Sequence, residues 1–194
     1  MHHKKLLLII LDGWGLAPSG AYNGIYLAQT PFFDRALAHN PHTKLAASGV
    51  AVGLLAGQMG SSEVGHMAIG AGRIVPQELT KLETALGNGS FYTNAAFVNA
   101  ATRVKLNGGA LHLVGIVSDG GVHSHEKHLH ALLKIAHKEG VERVFVHAFT
   151  DGRDTSPQSA KVYLDRLQMM IDAINPAYRI ATVCGRFYLD RNNN

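Results

Sequence analysis

The stretch LHLVGIVSDGGVHSHEKHLHALLKIAHKEGVERVFVHAFTDGRDTSPQSAKVYLDRLQMMIDAINPAYRIATVCGR, residues 111–186, decides the fold class. It holds three short apolar runs, Leu111–Val117, Arg143–Phe149 and Arg179–Cys184, each of the length of one buried strand. Between the first two, Leu129, Leu132, Leu133 and Ala136 keep the i, i+3, i+4, i+7 spacing of one buried helix face, in a helix that begins near His125. Ser156 and Pro157 start a second helix, which runs to about Ile174. Strand, loop, helix, strand, loop, helix, strand is a run of βαβ units. The expected fold class is therefore α/β, with mostly parallel sheets and flanking helices.

In open parallel sheets, ligands gather outside the carboxyl ends of the strands. The loops expected there are Ser118–Ser124, Thr150–Thr155 and the segment from Gly185 to Arg191, and they are rich in glycine, histidine, aspartate and arginine. Arg153 offers a planar fork for a carboxylate or phosphate, and Asp154 beside it can accept a hydroxyl hydrogen bond. A local ion pair that closes the loop fits the same two residues equally well. The histidines 123, 125, 128 and 130 do not form a zinc site on helix geometry. His128 and His130 lie two residues apart, so they point roughly 200° apart around a helix. His123, in the loop, is the candidate for a functional role; the others read as surface or cap residues.

Toward the amino terminus, Lys5–Leu11 reads as a first strand, and Asp12 sits at its exit, beside Gly13 and Gly15. Locally Asp12 fits a turn-forming aspartate as well as a metal ligand. Thr30-Pro31 opens a helix to about His39, and Val50–Leu55 is a short apolar run before the glycine-rich stretch Gly57–Gly72. Within that stretch, Ser61 and Ser62 stand where a helix begins. A helix cap explains them, and so does a nucleophile that faces free backbone N–H groups and a positive dipole end. A serine hydroxyl needs a base or a metal to activate it, and Asp12 is the obvious first ligand. Pro76 opens a further helix that ends near Gly87-Asn88-Gly89, and another runs from about Asn94 to Lys105. A domain boundary is expected near Pro76.

Composition sets outer limits. The 194 residues are 46% hydrophobic and 16% charged, with a formal net charge of +4, and the mean hydropathy is +0.03. Neither disorder nor a membrane protein is implied. The basic residues are scattered and form no stripe interleaved with aromatics, so nucleic acid is not expected as a partner. Cys184 is the single cysteine, which rules out an intrachain disulfide and makes an intracellular compartment the default. The apolar run after Met1-His2-His3-Lys4-Lys5 is short, ends in Asp12 and lacks a small-residue cleavage site, so it is not read as a signal peptide.

Five motifs stand in order at compatible spacings: Leu11-Asp12-Gly13-Trp14-Gly15, Gly57 to His66, Ile69-Gly70-Ala71-Gly72-Arg73, Ser118 to His125, and Asp151-Gly152-Arg153-Asp154. They resemble the cofactor-independent phosphoglycerate mutases of the alkaline phosphatase superfamily, from about Leu6 to Arg191. The resemblance implies a phosphatase-like domain that holds two manganese ions, with a substrate-binding domain inserted into it. Residues 1–76 would be the amino-terminal part of the first, and residues 77–194 part of the second. It implies Asp12 and Ser62 as metal ligands, Ser62 as the serine that becomes phosphorylated, and His123, Arg153, Asp154, Arg186 and Arg191 as substrate-binding residues. It further implies interconversion of 3-phosphoglycerate and 2-phosphoglycerate through a phosphoserine intermediate, without 2,3-bisphosphoglycerate. Such an isomerase of glycolysis would be cytoplasmic, bind neither nucleic acid nor membrane, and be a monomer when complete. Ser61 stands where the family usually has asparagine, Leu54-Leu55-Ala56 lacks the proline and acidic residue often found there, and Arg186 and Arg191 are one residue closer together than usual.

Two other readings are carried. One is a metal-dependent phosphatase or phosphopentomutase-like relative that shares the aspartate and the nucleophile. The other is a non-catalytic truncated remnant. The chain itself is expected to be an amino-terminal portion, inactive alone, whose first strand lacks its partners.

Overall fold

A computed structural model describes residues 5–190. The chain divides into two compact units, Met1–Pro76 and Gln77–Asn194.

The second unit carries the α/β architecture. Helices α4 (Glu78–Gly87) and α5 (Ala95–Leu106) precede β1 (Leu111–Val117), α6 (Glu126–Lys138), β2 (Val144–Thr150), α7 (Ala160–Ile174), β3 (Arg179–Gly185) and a short α8 (Arg186–Asp190). The strands form one parallel sheet in the order β1-β2-β3. Each crossover is a helix, as parallel neighbours require. Alternation along β2 sorts its two faces. Val144, Val146 and Ala148 are buried, while Phe145, His147 and Phe149 are only partly so.

The buried face packs against α5, α6 and α7, with Ala101, Leu133, Ala136, Tyr163, Leu167 and Ile171 in one core. Tyr178 is also fully buried, and its hydroxyl donates to the Val141 carbonyl at 2.8 Å, which ties the turn after α6 to the start of β3. Helix α6 is apolar on a second side as well. Ala131 and Ile135 meet Phe91, with Leu82, Leu86 and Phe97 around them. That double burial makes α6 the middle of the unit. His125 caps its start, its Nδ1 accepting from Lys127 N–H at 3.2 Å, and His137 and Lys138 lie in the last turn, where cations suit the helix dipole. His128 and His130 are partly buried rather than surface residues, and burial lowers the pKa of both from the ordinary histidine value.

The sheet's other face stays open at His112 and at Val114, which is 66% exposed. A polar row crosses it. His112 Nδ1 and His147 Nε2 lie 2.9 Å apart, and His147 Nδ1 lies 2.9 Å from Thr182 Oγ1.

The first unit is thinner. It has α1 (Gly24–Leu27), α2 (Pro31–His39) and α3 (Ser62–Ala71), with Trp14 edge-on to Phe33 and with Val52 and Val64 as its buried apolar side chains. The strand expected over Lys5–Leu11 does not form: this segment has no strand pairing, and its apolar side chains range from 93% exposed at Leu6 to 44% at Ile10. A strand is defined by its neighbours, and no other described segment lies beside this one to satisfy its N–H and C=O groups. Two glycines let the rest pack tightly. A Cβ on Gly60 would lie 1.7 Å from the Ala47 carbonyl oxygen, and Gly53, at φ +85°, would bring one within 2.0 Å of the Val75 carbonyl oxygen.

The two faces of the sheet predict unequal mutational costs. Leu133→Ala should destabilise the second unit by about 2–5 kcal/mol, because the cavity cannot collapse between sheet and helix. Val114→Ala should change stability by less than about 0.5 kcal/mol. Urea unfolding followed by circular dichroism measures both, and equal costs would refute this account of the packing.

Candidate functional site

In the first unit, Asp12 and Ser62 are fifty positions apart in sequence and joined by a hydrogen bond. Ser62 Oγ donates to Asp12 Oδ2 at 2.5 Å. Asp12 lies in the turn closed by Trp14 N–H to the Leu11 carbonyl at 3.1 Å, where Gly13 takes φ +76°. The two serines divide their work by position. Ser61 is the N-cap of α3, its hydroxyl accepting from Val64 N–H, so that oxygen is committed to the helix. Ser62 is the first helical residue, and its hydroxyl points to Asp12 instead. His66, one turn later, had no role in the sequence reading. Its Nδ1 lies 2.8 Å from the Ser62 carbonyl oxygen and 3.2 Å from Ser62 Oγ. A carbonyl only accepts, so Nδ1 carries the hydrogen and also faces Oγ as a donor. The spacing of four residues from Ser62 on a helix was the available signal.

Asp12 and Ser62 are hard oxygen donors of the kind magnesium and manganese take. Two such donors are fewer than either ion needs, and among the described residues no three His, Cys, Asp or Glu side chains gather to hold a metal. The residues present fit part of a divalent-ion site.

In the second unit, the exits of all three strands meet at one buried ion cluster. Arg186, just past β3, is 1% exposed. Its Nη1 donates to Asp151 Oδ1 at 2.9 Å and to Asp154 Oδ2 at 2.5 Å, and its Nε to Asp190 Oδ2 at 2.9 Å. Its Nη2 is buried with no hydrogen-bond partner among the described residues. These carboxylates, Asp154 and Asp190 foremost, push the Arg186 pKa above its ordinary value. Asp151 follows β2. Ser118, at the exit of β1, donates its hydroxyl to Asp151 Oδ2 at 2.8 Å, and the backbone N–H groups of Arg153 and Asp154 donate to Oδ1 at 3.1 Å each. Burial works to raise the Asp151 pKa, but these donors outweigh it and hold the carboxyl below the usual range. The loops touch because residue 120 is glycine: a Cβ there would lie 3.1 Å from Asp154 Cβ.

His123 Nε2 lies 4.0 Å from Asp154 Oδ2 on the same rim. Arg153 is exposed beside them. The structure thus brings His123, Arg153, Asp154 and Arg186 together in the second unit, and Asp12 with Ser62 in the first. Arg191 lies outside the described residues. Asp151, which the sequence reading took as part of a motif without a role, is the acceptor that links the other groups. Its place two residues before Arg153 in a turn was the available signal.

Comparisons with known proteins give the chain its relatives. The family model described as BPG-independent PGAM N-terminus matches residues 82–194. The chain is 55% identical over 196 residues to the 2,3-bisphosphoglycerate-independent phosphoglycerate mutase of Moorella thermoacetica, covering 98% of this chain and 37% of that protein. It is 48% identical over 194 residues to the enzyme of that name from Clostridium perfringens, covering 100% of this chain and 38% of that protein. Among solved structures, the crystal structure of Leishmania mexicana phosphoglycerate mutase at low cobalt concentration matches with a TM-score of 0.69 at 35% identity, covering 92% of this chain and 34% of that one. The chain therefore spans little more than a third of the length of these relatives. It belongs to the family of 2,3-bisphosphoglycerate-independent phosphoglycerate mutases, as an amino-terminal portion.

Proposed function

We propose that this chain is the amino-terminal part of an isomerase that interconverts 3-phosphoglycerate and 2-phosphoglycerate through a phosphoserine at Ser62. The observation that carries the reading is the Ser62–Asp12 hydrogen bond at a helix start, with Ser61 committed to the cap. Residues 1–76 supply part of the phosphatase-like domain, and residues 77–194 part of the inserted domain that holds the substrate.

Ser62 Oγ gives its proton to Asp12 Oδ2 and attacks phosphorus. The bond from Oγ to phosphorus forms while the bond from phosphorus to O3 of the glycerate breaks, and O3 leaves with the electron pair and takes up a proton from solvent, as Asp12 later returns its proton. His66 Nδ1–H faces Oγ as a donor to the developing charge. The helix start adds backbone N–H groups that favour the phosphoryl oxygens. Glycerate stays with His123, Arg153 and Asp154, with Arg186 and Arg191 as further ligands in this reading, turns, and its C2 hydroxyl attacks the phosphoserine in the reverse sense. Excluding water at that stage separates a mutase from a phosphatase. Asp12 and Ser62 would hold part of a site for two manganese ions, which would supply positive charge against the transferring group. The phosphoryl group comes from the substrate, so 2,3-bisphosphoglycerate is not needed. As a glycolytic isomerase the complete protein would act in the cytoplasm, as a monomer. Separately, no helix of the described residues is long and apolar enough to cross a membrane.

In a protein completed to the length of its relatives, Ser62→Ala should abolish the phosphoenzyme formed from labelled 3-phosphoglycerate, while Ser61→Ala keeps it. Label retained on the Ser62→Ala protein would refute the assignment. In the same protein, Arg153→Lys should lower turnover by about 100-fold, since a point charge cannot hold a substrate as a planar fork does. Residues 1–194 alone should show no mutase turnover and no tight stoichiometric manganese binding by calorimetry, for one carboxylate and one hydroxyl do not hold the ion. A tight one-to-one isotherm would contradict this.

A further inference from the structure

The side chain of Asp151 is only 3% exposed, yet it sits at the centre of the rim proposed to hold phosphoglycerate. Three donors converge on its Oδ1: the N–H of Arg153, the N–H of Asp154 and Arg186 Nη1. A fourth, the Ser118 hydroxyl, takes Oδ2. No part of this carboxylate is left for a substrate. A carboxylate withdrawn from water is costly unless it is paired and hydrogen-bonded, so its place here calls for a function other than contact.

We propose that Asp151 is a positioning residue that holds Asp154 at both ends and so sets the substrate-facing geometry of the Arg153–Asp154 pair. This rests on the reading that His123, Arg153 and Asp154 receive phosphoglycerate. The backbone of Asp154 is held directly, by its N–H on Asp151 Oδ1. Its carboxylate is held through Arg186, whose Nη1 bridges Asp151 Oδ1 and Asp154 Oδ2. The triangle closes on a single oxygen. Asp154 Oδ1 then remains the oxygen that accepts no hydrogen bond from the described residues, free for a substrate hydroxyl. The bond to Arg153 N–H fixes the residue whose exposed guanidinium is to meet an anion. Ser118 extends the hold to the exit of β1, the strand whose following loop carries His123. An asparagine would close the same turn, but its neutral oxygen is a poorer acceptor for three donors that include a guanidinium.

Asp190 provides the control. Its Oδ2 accepts from Arg186 Nε at 2.9 Å, whereas the N–H groups of Arg153 and Asp154 donate to Asp151 Oδ1, so Asp190→Asn removes one carboxylate from Arg186 and leaves those two bonds in place. The test uses residues 1–194 as wild type, Asp151→Asn, Asp190→Asn and Ser118→Ala. Amide hydrogen exchange at Arg153 and Asp154 and 3-phosphoglycerate binding by NMR titration are read well below each variant's melting temperature. Asp151→Asn should speed exchange at both amides and weaken phosphoglycerate binding, each by at least about tenfold, in a protein that stays folded. Asp190→Asn should leave both within about twofold of wild type. A purely structural role would lower the melting temperature and leave the affinity of the folded protein unchanged. Should Asp151→Asn fail to fold, Ser118→Ala decides: faster exchange at Arg153 and Asp154 supports the proposal, and unchanged exchange overturns it. A folded Asp151→Asn protein with exchange and affinity within twofold of wild type overturns it too, as does an equal loss in Asp190→Asn. Absence of phosphoglycerate binding in the wild type would strike the substrate reading alone, since the exchange comparison still decides what Asp151 does.

Discussion

Withdrawing the guanidinium of Arg186 from water is the constraint around which the second unit is arranged. A buried cation costs several kcal/mol unless acids surround it with good geometry. Here Asp151 and Asp154 supply them from the turn after β2, and Asp190 from the helix after β3. To meet that requirement, the exits of β2 and β3 must lie side by side, which the parallel register Thr150↔Gly185 provides. The Ser118 hydroxyl then brings in the exit of β1. A sheet that slipped by one residue would turn these groups to the wrong face and leave the charge unpaired.

The core answers to the same register. Because the side chains of β2 alternate, Val144, Val146 and Ala148 reach α5, α6 and α7 while His147 joins the polar row on the opposite face. Helix α6 gives that core depth, since it meets the sheet through Leu133 and Ala136 and the α4 side through Ala131 and Ile135. Among its described residues the first unit has no equivalent middle element, and Val52 and Val64 are the buried apolar side chains there.

What was legible in the sequence follows from how local each signal is. The apolar runs starting at residues 111, 143 and 179 were legible as strands because the helices that connect them carry a start signal or a buried-face pattern of their own. The helices from Pro31, near Pro76, from Asn94, near His125 and after Ser156 carried start signals of their own. The run Lys5–Leu11 carried an equally strong strand pattern, but pairing depends on a neighbour and cannot be read from the strand itself. Short α1 and α8 were missed because four or five residues hold no periodicity. Asp12 and Ser62 were paired in the reading by chemistry, and a 2.5 Å hydrogen bond joins them in the fold. Asp151 and His66 were passed over for a related reason: what distinguishes them is which groups point at them, and that exists only once the chain is folded.

The division between Ser61 and Ser62 has a consequence for how this segment can change over generations. The oxygen of Ser61 does one undemanding thing, accepting from the Val64 N–H, and serine, asparagine and aspartate perform that task about equally well. Drift between serine and asparagine at position 61 is therefore nearly silent, whichever of the two a lineage happens to carry. One residue further on, asparagine would fit the same helix turn and lack the hydroxyl. Under the proposed function the two neighbouring positions therefore carry different demands: the first needs a shape, and the second needs an atom.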